Sequence, residues 1–284
     1  MIFGPLGRIC ARKKVRASIR FRSIFMPKKD VHLGRILQAG LLPNLIKDEL
    51  DAEGIVEAGV AAGVRAFEVS CRRPDTVQIL QRLRSRFPEV SFGVSSLIEE
   101  GPYFRFLQQR GPRFPSIDEA VEAGADFLVS VITFSSETYR RYPHLPIIPG
   151  VESADEAKRQ LDLGASLVKF LNIGVAALKA TNGGPIHFGL PLLVTGGVRP
   201  ANVPDLVSAG TLVCVSDFDL ILQDQYQAMQ KRLDAQVVRT CIGEYVAQFA
   251  ESRRKYRPNV DFASADPVKI QRESGQFMNV TAET

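Results

Sequence analysis

Short apolar segments alternate with amphipathic segments along most of this chain, and that alternation constrains the fold more than any other feature. Eight segments of three to seven residues are rich in Val, Leu, Ile and Phe, which is typical of buried strands. They are residues 41–46, 64–70, 90–96, 125–131, 146–149, 166–171, 192–194 and 212–215. The stretches between them carry helix signals, such as the acidic start and glycine end of residues 51–63.

This order of elements predicts an α/β protein. Because a helix after each strand joins neighbouring strands in parallel, eight such units close into a TIM (β/α)8 barrel more readily than into an open sheet. We expect the barrel to span residues 31–222, with an inserted loop at residues 99–115 that holds two Gly-Pro pairs and four aromatic residues. The insertion is a lid, a subunit contact or a surface loop, and the sequence does not choose among them.

The chain continues past the last strand with apolar residues at helical spacing, from about Asp217 to Lys255. Part of this segment is the last barrel helix. The rest forms a C-terminal helix, residues 223–256, that packs on the barrel or on a partner chain. Residues 257–284 are polar, and we expect a loose tail.

Positive charge is concentrated at the N-terminus. The formal net charge is +5, but residues 1–25 hold seven of the 36 basic residues and no acidic one. The remaining 29 basic and 31 acidic residues give a net charge of −2, which does not support a nucleic-acid-binding surface. We expect residues 1–30 to be a disordered basic leader, or a segment outside a native protein that starts at Met26. An organellar transit peptide is the alternative.

Composition also argues against a membrane span and against a metal site. No apolar run approaches the roughly 18 residues that span a bilayer. The four cysteines lie far apart without a CxxC spacing, and the three histidines are scattered. We therefore expect no membrane partner and no metal, and a reducing, cytoplasmic compartment.

One lysine interrupts the sixth apolar segment. Lys169 lies between Leu167-Val168 and Phe170-Leu171, in a run that predicts a buried strand. Burying an ammonium costs several kcal/mol unless it is paired, so such a lysine tends to lose its proton. The neutral amine then attacks ketones, which begins Schiff-base chemistry. The same pattern fits a structural lysine that reaches solvent or pairs with a carboxylate.

Other polar residues share the position of Lys169 at the end of a predicted strand. In a TIM barrel these ends meet at one mouth. They are Glu68, Ser96, Ser130, Lys169 and Thr195. Glu68 is again one ionisable group in an apolar strand, so it is either a catalyst or the partner in a buried ion pair, and both can hold together.

A glycine pair follows the seventh predicted strand, in Thr195-Gly196-Gly197-Val198. Glycines at a strand-to-helix turn let backbone N–H groups approach an anion. The loops after strands seven and eight are the usual phosphate site of this fold. A tight turn that needs positive φ is the plain alternative.

These residues lie in motifs that resemble the class I aldolases of 2-keto-3-deoxy-6-phosphogluconate and 4-hydroxy-2-oxoglutarate. The resemblance covers roughly residues 35–215, with its motifs in family order. The motifs are Gly63-Val64-Arg65-Ala66-Phe67-Glu68-Val69-Ser70 with Arg72 and Pro74, residues 123–130, residues 147–151, Leu167-Val168-Lys169-Phe170, and Thr195-Gly196-Gly197-Val198.

The resemblance implies that Lys169 forms a Schiff base with the keto carbon of pyruvate and that Glu68 is the general acid and base. It implies that Arg72 and Ser96 bind the substrate carboxylate or a neighbouring anion. The residues it implies for a distal phosphate are Thr195, Gly196 and Gly197. It also implies a cytoplasmic homotrimer that acts on a small 2-keto acid without metal or organic cofactor.

The chain departs from the family pattern at the phosphate end. Leu171-Asn172-Ile173 stands where relatives read Phe-Pro-Ala, and residues 215–219, with two aspartates, replace a glycine loop. Two carboxylates repel a phosphate unless they point away. We therefore expect lyase chemistry on a 2-keto acid with an acceptor aldehyde that need not be phosphorylated.

Two other functions stay open at this point. One is a barrel that has lost turnover and serves as a binding or scaffold protein, which the lost glycine loop favours and the retention of Lys169 and Glu68 disfavours. The other is a phosphosugar isomerase or epimerase that uses Glu68 as a base without an imine.

Overall fold

The computed structural model describes residues 28–47, 49–109, 114–182, 189–258, 260–262, 264, 266, 267 and 269. The predicted leader before Lys28 and the tail beyond Lys269 lie outside the described residues.

Strands in the described part of the chain form one parallel sheet. They are β1 (Leu41–Leu45), β2 (Ala66–Ser70), β3 (Ser91–Leu97), β4 (Phe127–Ser130), β5 (Ile147–Ile148), β6 (Gly150–Val151), β7 (Val168–Leu171), β8 (Leu192–Thr195) and β9 (Thr211–Asp217). Their order is β5-β4-β3-β2-β1-β9-β8-β7-β6. Each β-α-β step is parallel, as connecting helices require.

The two ends of this order are halves of one extended segment, because only Pro149 separates β5 from β6. β5 pairs with β4 and β6 pairs with β7, so the sheet closes there into eight strand positions. Gly150 lies so near the neighbouring strand end that a Cβ would overlap the backbone of Val131. The sheet confirms the predicted (β/α)8 barrel.

Helices surround the sheet. Those of the described residues are α1 (Lys28–Ala39), α2 (Ala52–Ala61), α3 (Thr76–Arg86), α4 (Pro102–Gln108), α5 (Ile117–Glu122), α6 (Ser136–Arg141), α7 (Ala154–Asp162), α8 (Val175–Asn182), α9 (Val203–Ser208), α10 (Phe218–Leu222), α11 (Tyr226–Lys231) and α12 (Ala235–Tyr256). Short 3-10 turns lie at Pro200–Asn202 and Gln223–Gln225. Side-chain caps fix several helix starts; Ser116 and Glu119 form a complete capping box before α5.

Helix α1 closes the bottom of the barrel, and the sequence analysis assigned no element there. Its residues Leu33, Ile36 and Leu37 are buried in one cluster with side chains from the barrel interior. Their i, i+3, i+4 spacing is that of an amphipathic helix. The signal is short and adjoins the basic run of the leader, so it does not stand out in the sequence.

Helix α12 lies in the outer ring, where it packs against α2 and α9. It thereby covers the seam between β9 and β1, which is the place of an eighth barrel helix. The segment expected to be one long amphipathic stretch is broken at Gln223, which has a φ of 49°. The sequence left two packings open for the C-terminal helix 223–256, on the barrel or on a partner chain, and in the structure α12 packs on the barrel.

The insertion at residues 99–115 contains α4, none of whose residues is buried. Its first residue is anchored, since the Glu99 carboxylate accepts hydrogen bonds from the Ser135 N–H (2.8 Å) and the Thr138 hydroxyl (2.5 Å) at α6. Tyr103 and Phe106 of α4 are exposed and stack with ring centroids 6.4 Å apart. Residues 110–113 lie outside the described part of the chain.

Candidate active site

Lys169 and Glu68 meet inside the barrel, from opposite parts of the sequence. Strand alternation sends both side chains inward, because their neighbours Phe67, Val168 and Phe170 pack in the outer core. The Lys169 Nζ atom lies 3.3 Å from Glu68 Oε2 and 3.5 Å from Oε1. The exposed fractions of the side chains are 5% and 0%, so the pair is shielded from bulk water.

Burial raises the pKa of Glu68, because a carboxylate loses its hydration in the barrel interior. The charge and hydrogen bond of Lys169 and a hydrogen bond from the Ser95 side chain oppose this shift, while the charge of Asp217 adds to it. A carboxyl whose pKa is moved toward neutrality can both accept and return a proton, which is what acid-base catalysis requires.

A polar network that the sequence analysis missed joins the pair to the last strand. Asn44 on β1 lies opposite Glu68 on one side and Asp217 on the other. Its Nδ2 donates to Asp217 Oδ1 at 2.8 Å, and its Oδ1 accepts from the Ser95 hydroxyl at 3.3 Å. Asn44 was detectable, since it is a single polar residue in the apolar run 41–46, as Glu68 and Lys169 are in theirs.

Ser95, rather than the expected Ser96, contacts this network. Ser95 pairs with Ser70 of β2, and it is one of the residues of β3 whose side chains point into the barrel. Ser96 has a φ of 61° and lies where the register between β3 and β4 shifts. The backbone carbonyl of Ser96 accepts from the Cys71 thiol. Of the other mouth residues, Ser130 uses its hydroxyl to bind the Leu97 carbonyl at 2.7 Å.

Arg72 is exposed in the loop after β2, and none of its described contacts reaches Lys169 or Glu68. Its guanidinium is close enough for its charge to favour the ionised form of Asp217. Burial nevertheless raises the pKa of Asp217, an effect that the hydrogen bond from Asn44 opposes. Arg72 is therefore a cation near the mouth, while Ser96 lies at the kink of β3.

The glycine loop after β8 forms the turn that the sequence predicted. Gly196 and Gly197 have φ values of 91° and 66°, which L-residues with a Cβ rarely adopt. A Cβ on Gly196 would also overlap the side-chain amide oxygen of Asn172. Thr195 pairs with Leu171 of the lysine strand, so the loop borders the strand that carries Lys169.

The two aspartates at the end of β9 and the start of α10, Asp217 and Asp219, have different orientations. Asp217 faces Asn44 inside the mouth, whereas the Asp219 carboxylate accepts the N–H of Leu220 in its own helix at 3.0 Å. A phosphate fits at this place only if both carboxylates point away from it. Asp219 does so, and Asp217 does not.

Within the described residues, His, Cys, Asp and Glu side chains do not gather in any group of three that could hold a metal ion. The helices in that same part of the chain are all too short or too polar to cross a membrane.

The fold and the buried lysine–carboxylate pair define an α/β-barrel of the aldolase type. The chain belongs to the KDPG and KHG aldolase family, whose model matches residues 35–234.

Curated relatives share just over a quarter of their residues with this chain. The KHG/KDPG aldolase of Escherichia coli K12 is 28% identical over 200 residues, covering 68% of this chain and 86% of the relative. The 2-dehydro-3-deoxy-phosphogluconate aldolase of Zymomonas mobilis is 28% identical over 183 residues, covering 62% and 80%.

Solved structures of this family share the fold. The 2-keto-3-deoxy-6-phosphogluconate aldolase of Zymomonas mobilis gives a TM-score of 0.59 at 23% identity, covering 77% of this chain and 97% of that one. A Legionella pneumophila KDPG aldolase, solved with pyruvate captured as a covalent carbinolamine, gives 0.57 at 23% identity, with 74% and 96% covered.

Proposed function

We propose that this protein is a class I aldolase that cleaves or forms a 2-keto-3-deoxy sugar acid or 4-hydroxy-2-oxoglutarate, with pyruvate and an aldehyde as the two fragments. Family membership supports the reaction class. The observation that carries the proposal is the contact of 3.3 Å between the buried Lys169 amine and the Glu68 carboxylate inside the barrel, where the two residues lie within β7 and β2.

In the proposed reaction the Lys169 amine attacks the keto carbon of the substrate and forms a carbinolamine. Glu68 protonates the departing hydroxyl, so water leaves and a protonated imine remains. The imine withdraws electrons, and the bond between C3 and C4 breaks as the C4 hydroxyl loses its proton to Glu68 through water. Aldehyde leaves, the enamine takes a proton at C3, and hydrolysis of the imine releases pyruvate.

The geometry supports these roles for both side chains. The apolar barrel wall excludes bulk water from the amine, and the only charged partner described for the Lys169 amine is Glu68. The raised pKa of Glu68 suits a group that must both hold and deliver a proton.

The roles proposed for the other residues rest on position. Arg72 and Ser96 bind the carboxylate end of the substrate, with Arg72 as the exposed cation at the rim. The distal end of the substrate meets the loop that holds Thr195, Gly196 and Gly197.

Pyruvate release tests the activity. The full chain is supplied with 4-hydroxy-2-oxoglutarate, and pyruvate is followed by coupling to lactate dehydrogenase. We expect Lys169→Met to lose activity by about 10³-fold or more and Glu68→Gln by about 10²-fold or more, since each removes a chemical step. Lys158→Met is the matched control, because Lys158 is an exposed lysine of α7 paired with Asp162.

Full activity in a folded Lys169→Met variant would contradict the proposal. Isomerase or epimerase turnover that survives Lys169→Met would favour a base mechanism through Glu68. A wild-type chain with no turnover would favour a binding or scaffold protein.

We further propose a cytoplasmic homotrimer whose catalytic unit comprises residues 31–222 and the C-terminal helix 223–256, with the leader and the tail outside it. Cys71, Cys214 and Cys241 are free thiols among the described residues, which suits a reducing compartment. Light scattering after size-exclusion chromatography measures the oligomer. A chain that ends at Leu222 should not fold cooperatively, because α12 supplies Val238, Ile242, Tyr245 and Phe249 to the core, each worth about 1.5–3 kcal/mol.

A further inference from the structure

Hydrogen-bond acceptors crowd the part of the mouth where β8 and β9 lie side by side. Thr195 at the end of β8 pairs with Val215, and Asp217 follows two residues later on the same face of β9. The hydrogen bond between Asn44 Nδ2 and Asp217 Oδ1, 2.8 Å long, holds the carboxylate over the barrel interior. Asn44 lies opposite both Glu68 and Asp217 in the strand register, and Glu68 contacts Lys169, so the three charged groups face the same part of the barrel interior.

Asn172 places a second acceptor beside the glycine loop. Its φ is 54°, and its backbone N–H donates to the Thr195 carbonyl at 2.8 Å, which fixes the turn after the lysine strand. Its side-chain amide oxygen occupies the position that a Cβ of Gly196 would take. The Asn172 amide oxygen therefore fills the space beside Gly196, and an anion that approaches Gly196 meets this oxygen.

The start of the helix after β9 is also neutralised. α10 has five residues, and the Asp219 carboxylate already accepts the N–H of Leu220 in its first turn. An acidic residue in the first turn cancels much of the positive potential that a helix N-terminus offers to an anion.

We propose that Asp217 and Asn172 determine specificity, because they reject a distal phosphate and accept hydrogen bonds from hydroxyl groups. The substrate is then an unphosphorylated 2-keto-3-deoxy sugar acid, and this inference rests on the proposed aldolase activity. A carboxylate and an amide oxygen can accept hydrogen bonds from the hydroxyls of a neutral aldehyde chain. A phosphate presents only acceptors and negative charge to the same two groups, and its repulsion by Asp217 in a half-buried site is poorly screened.

The test compares one substrate pair that differs only in the phosphate. Pyruvate release is measured from 2-keto-3-deoxygluconate and from its 6-phosphate. We expect kcat/KM of the wild-type chain to be at least about tenfold higher for the unphosphorylated acid, and Asp217→Asn to reduce this preference by about tenfold. Asp219→Asn removes the same charge two residues further along the chain, from a carboxylate that faces its own helix and not Asn44. It restores part of the positive potential at the start of α10, so it should reduce the preference, but by less than Asp217→Asn does.

Asn172→Gly provides a second variant, since glycine tolerates the positive φ and removes the amide oxygen. It too should reduce the preference. A wild-type preference for the phosphorylated acid, or equal effects of Asp217→Asn and Asp219→Asn, would overturn the inference. Each variant is first checked for an unchanged urea midpoint.

Borohydride trapping with pyruvate alone separates this inference from the proposed function, because pyruvate has no distal group. An adduct on Lys169 without discrimination between the two acids contradicts the specificity inference alone. Absence of the adduct in a folded chain contradicts the aldolase proposal itself.

Discussion

The buried pair of Lys169 and Glu68 should be strongly coupled in the free energy of unfolding. The perturbation is a double-mutant cycle of Lys169→Met, Glu68→Gln and the variant with both changes. Met and Gln resemble the native side chains in size but carry no charge, so the cycle removes charge with little change of volume.

The distance between the charges sets the magnitude. Two unit charges 3.3 Å apart interact by about 5 kcal/mol at an effective dielectric constant of about 20. Removing one charge leaves the other buried and uncompensated, which costs about 3–5 kcal/mol. Removing both also removes both desolvation costs, so the double variant should lie within about 1 kcal/mol of the wild type. The two single effects minus the double effect then give a coupling free energy of at least about 5 kcal/mol.

Urea unfolding at pH 7 measures all four chains, with equal m-values as the check that each unfolds from the same compact state. Each single variant should unfold at lower urea than the double variant, and the double variant should be stable but inactive. Free energies that add to within about 0.5 kcal/mol would refute the reasoning, because independent sites behave in that way.

Three further predictions concern the rest of the site. Burial raises the pKa of Glu68 above its ordinary 4.5, so the basic form of Glu68 should be lost as the pH falls through that raised value, and kcat/KM should fall with it. Asp217→Asn should move this fall in kcat/KM to lower pH, since the charge of Asp217 contributes to the raised pKa. Gly196→Ala should destabilise the fold by about 1–3 kcal/mol because of the positive φ at this position, and further because the new Cβ overlaps Asn172. In an Asn172→Gly background, urea titration should show that the cost of the overlap is gone and the cost of the positive φ remains. Tyr245→Phe should lower the free energy of unfolding by about 1–2 kcal/mol in the same titration, because the buried hydroxyl donates a hydrogen bond of 3.0 Å to the Val198 carbonyl in the loop after β8. An unchanged urea midpoint would show that this hydrogen bond contributes nothing.

The sequence predicted the barrel because its strands are buried on both faces and therefore form continuous apolar runs. Lys169 and Glu68 were detectable for the same reason: a single charge in such a run is a local anomaly. Alternation along a strand points every second side chain into the barrel, which is how both residues reach the interior.

Features that depend on long-range pairing were not predictable in this way. The bond between Asn44 and Asp217 joins residues 173 positions apart, and no local pattern indicates it. The contact of Ser95 with Asn44 was missed because the register shift at the end of β3 cannot be seen in the sequence. The place of α12 in the outer ring depends on the gap that α2 and α9 leave over β9 and β1, and this gap exists only once the sheet has closed.

Borohydride trapping is the measurement that tests the central claim most directly. The full chain is incubated with pyruvate and sodium borohydride, digested, and analysed by mass spectrometry. If Lys169 forms the Schiff base, the peptide that contains Lys169 gains the mass of one reduced pyruvate; Lys169→Met lacks this gain and the control Lys158→Met retains it. A folded wild-type chain that gains no such mass, or gains it on another lysine, would show that Lys169 is not the Schiff-base residue.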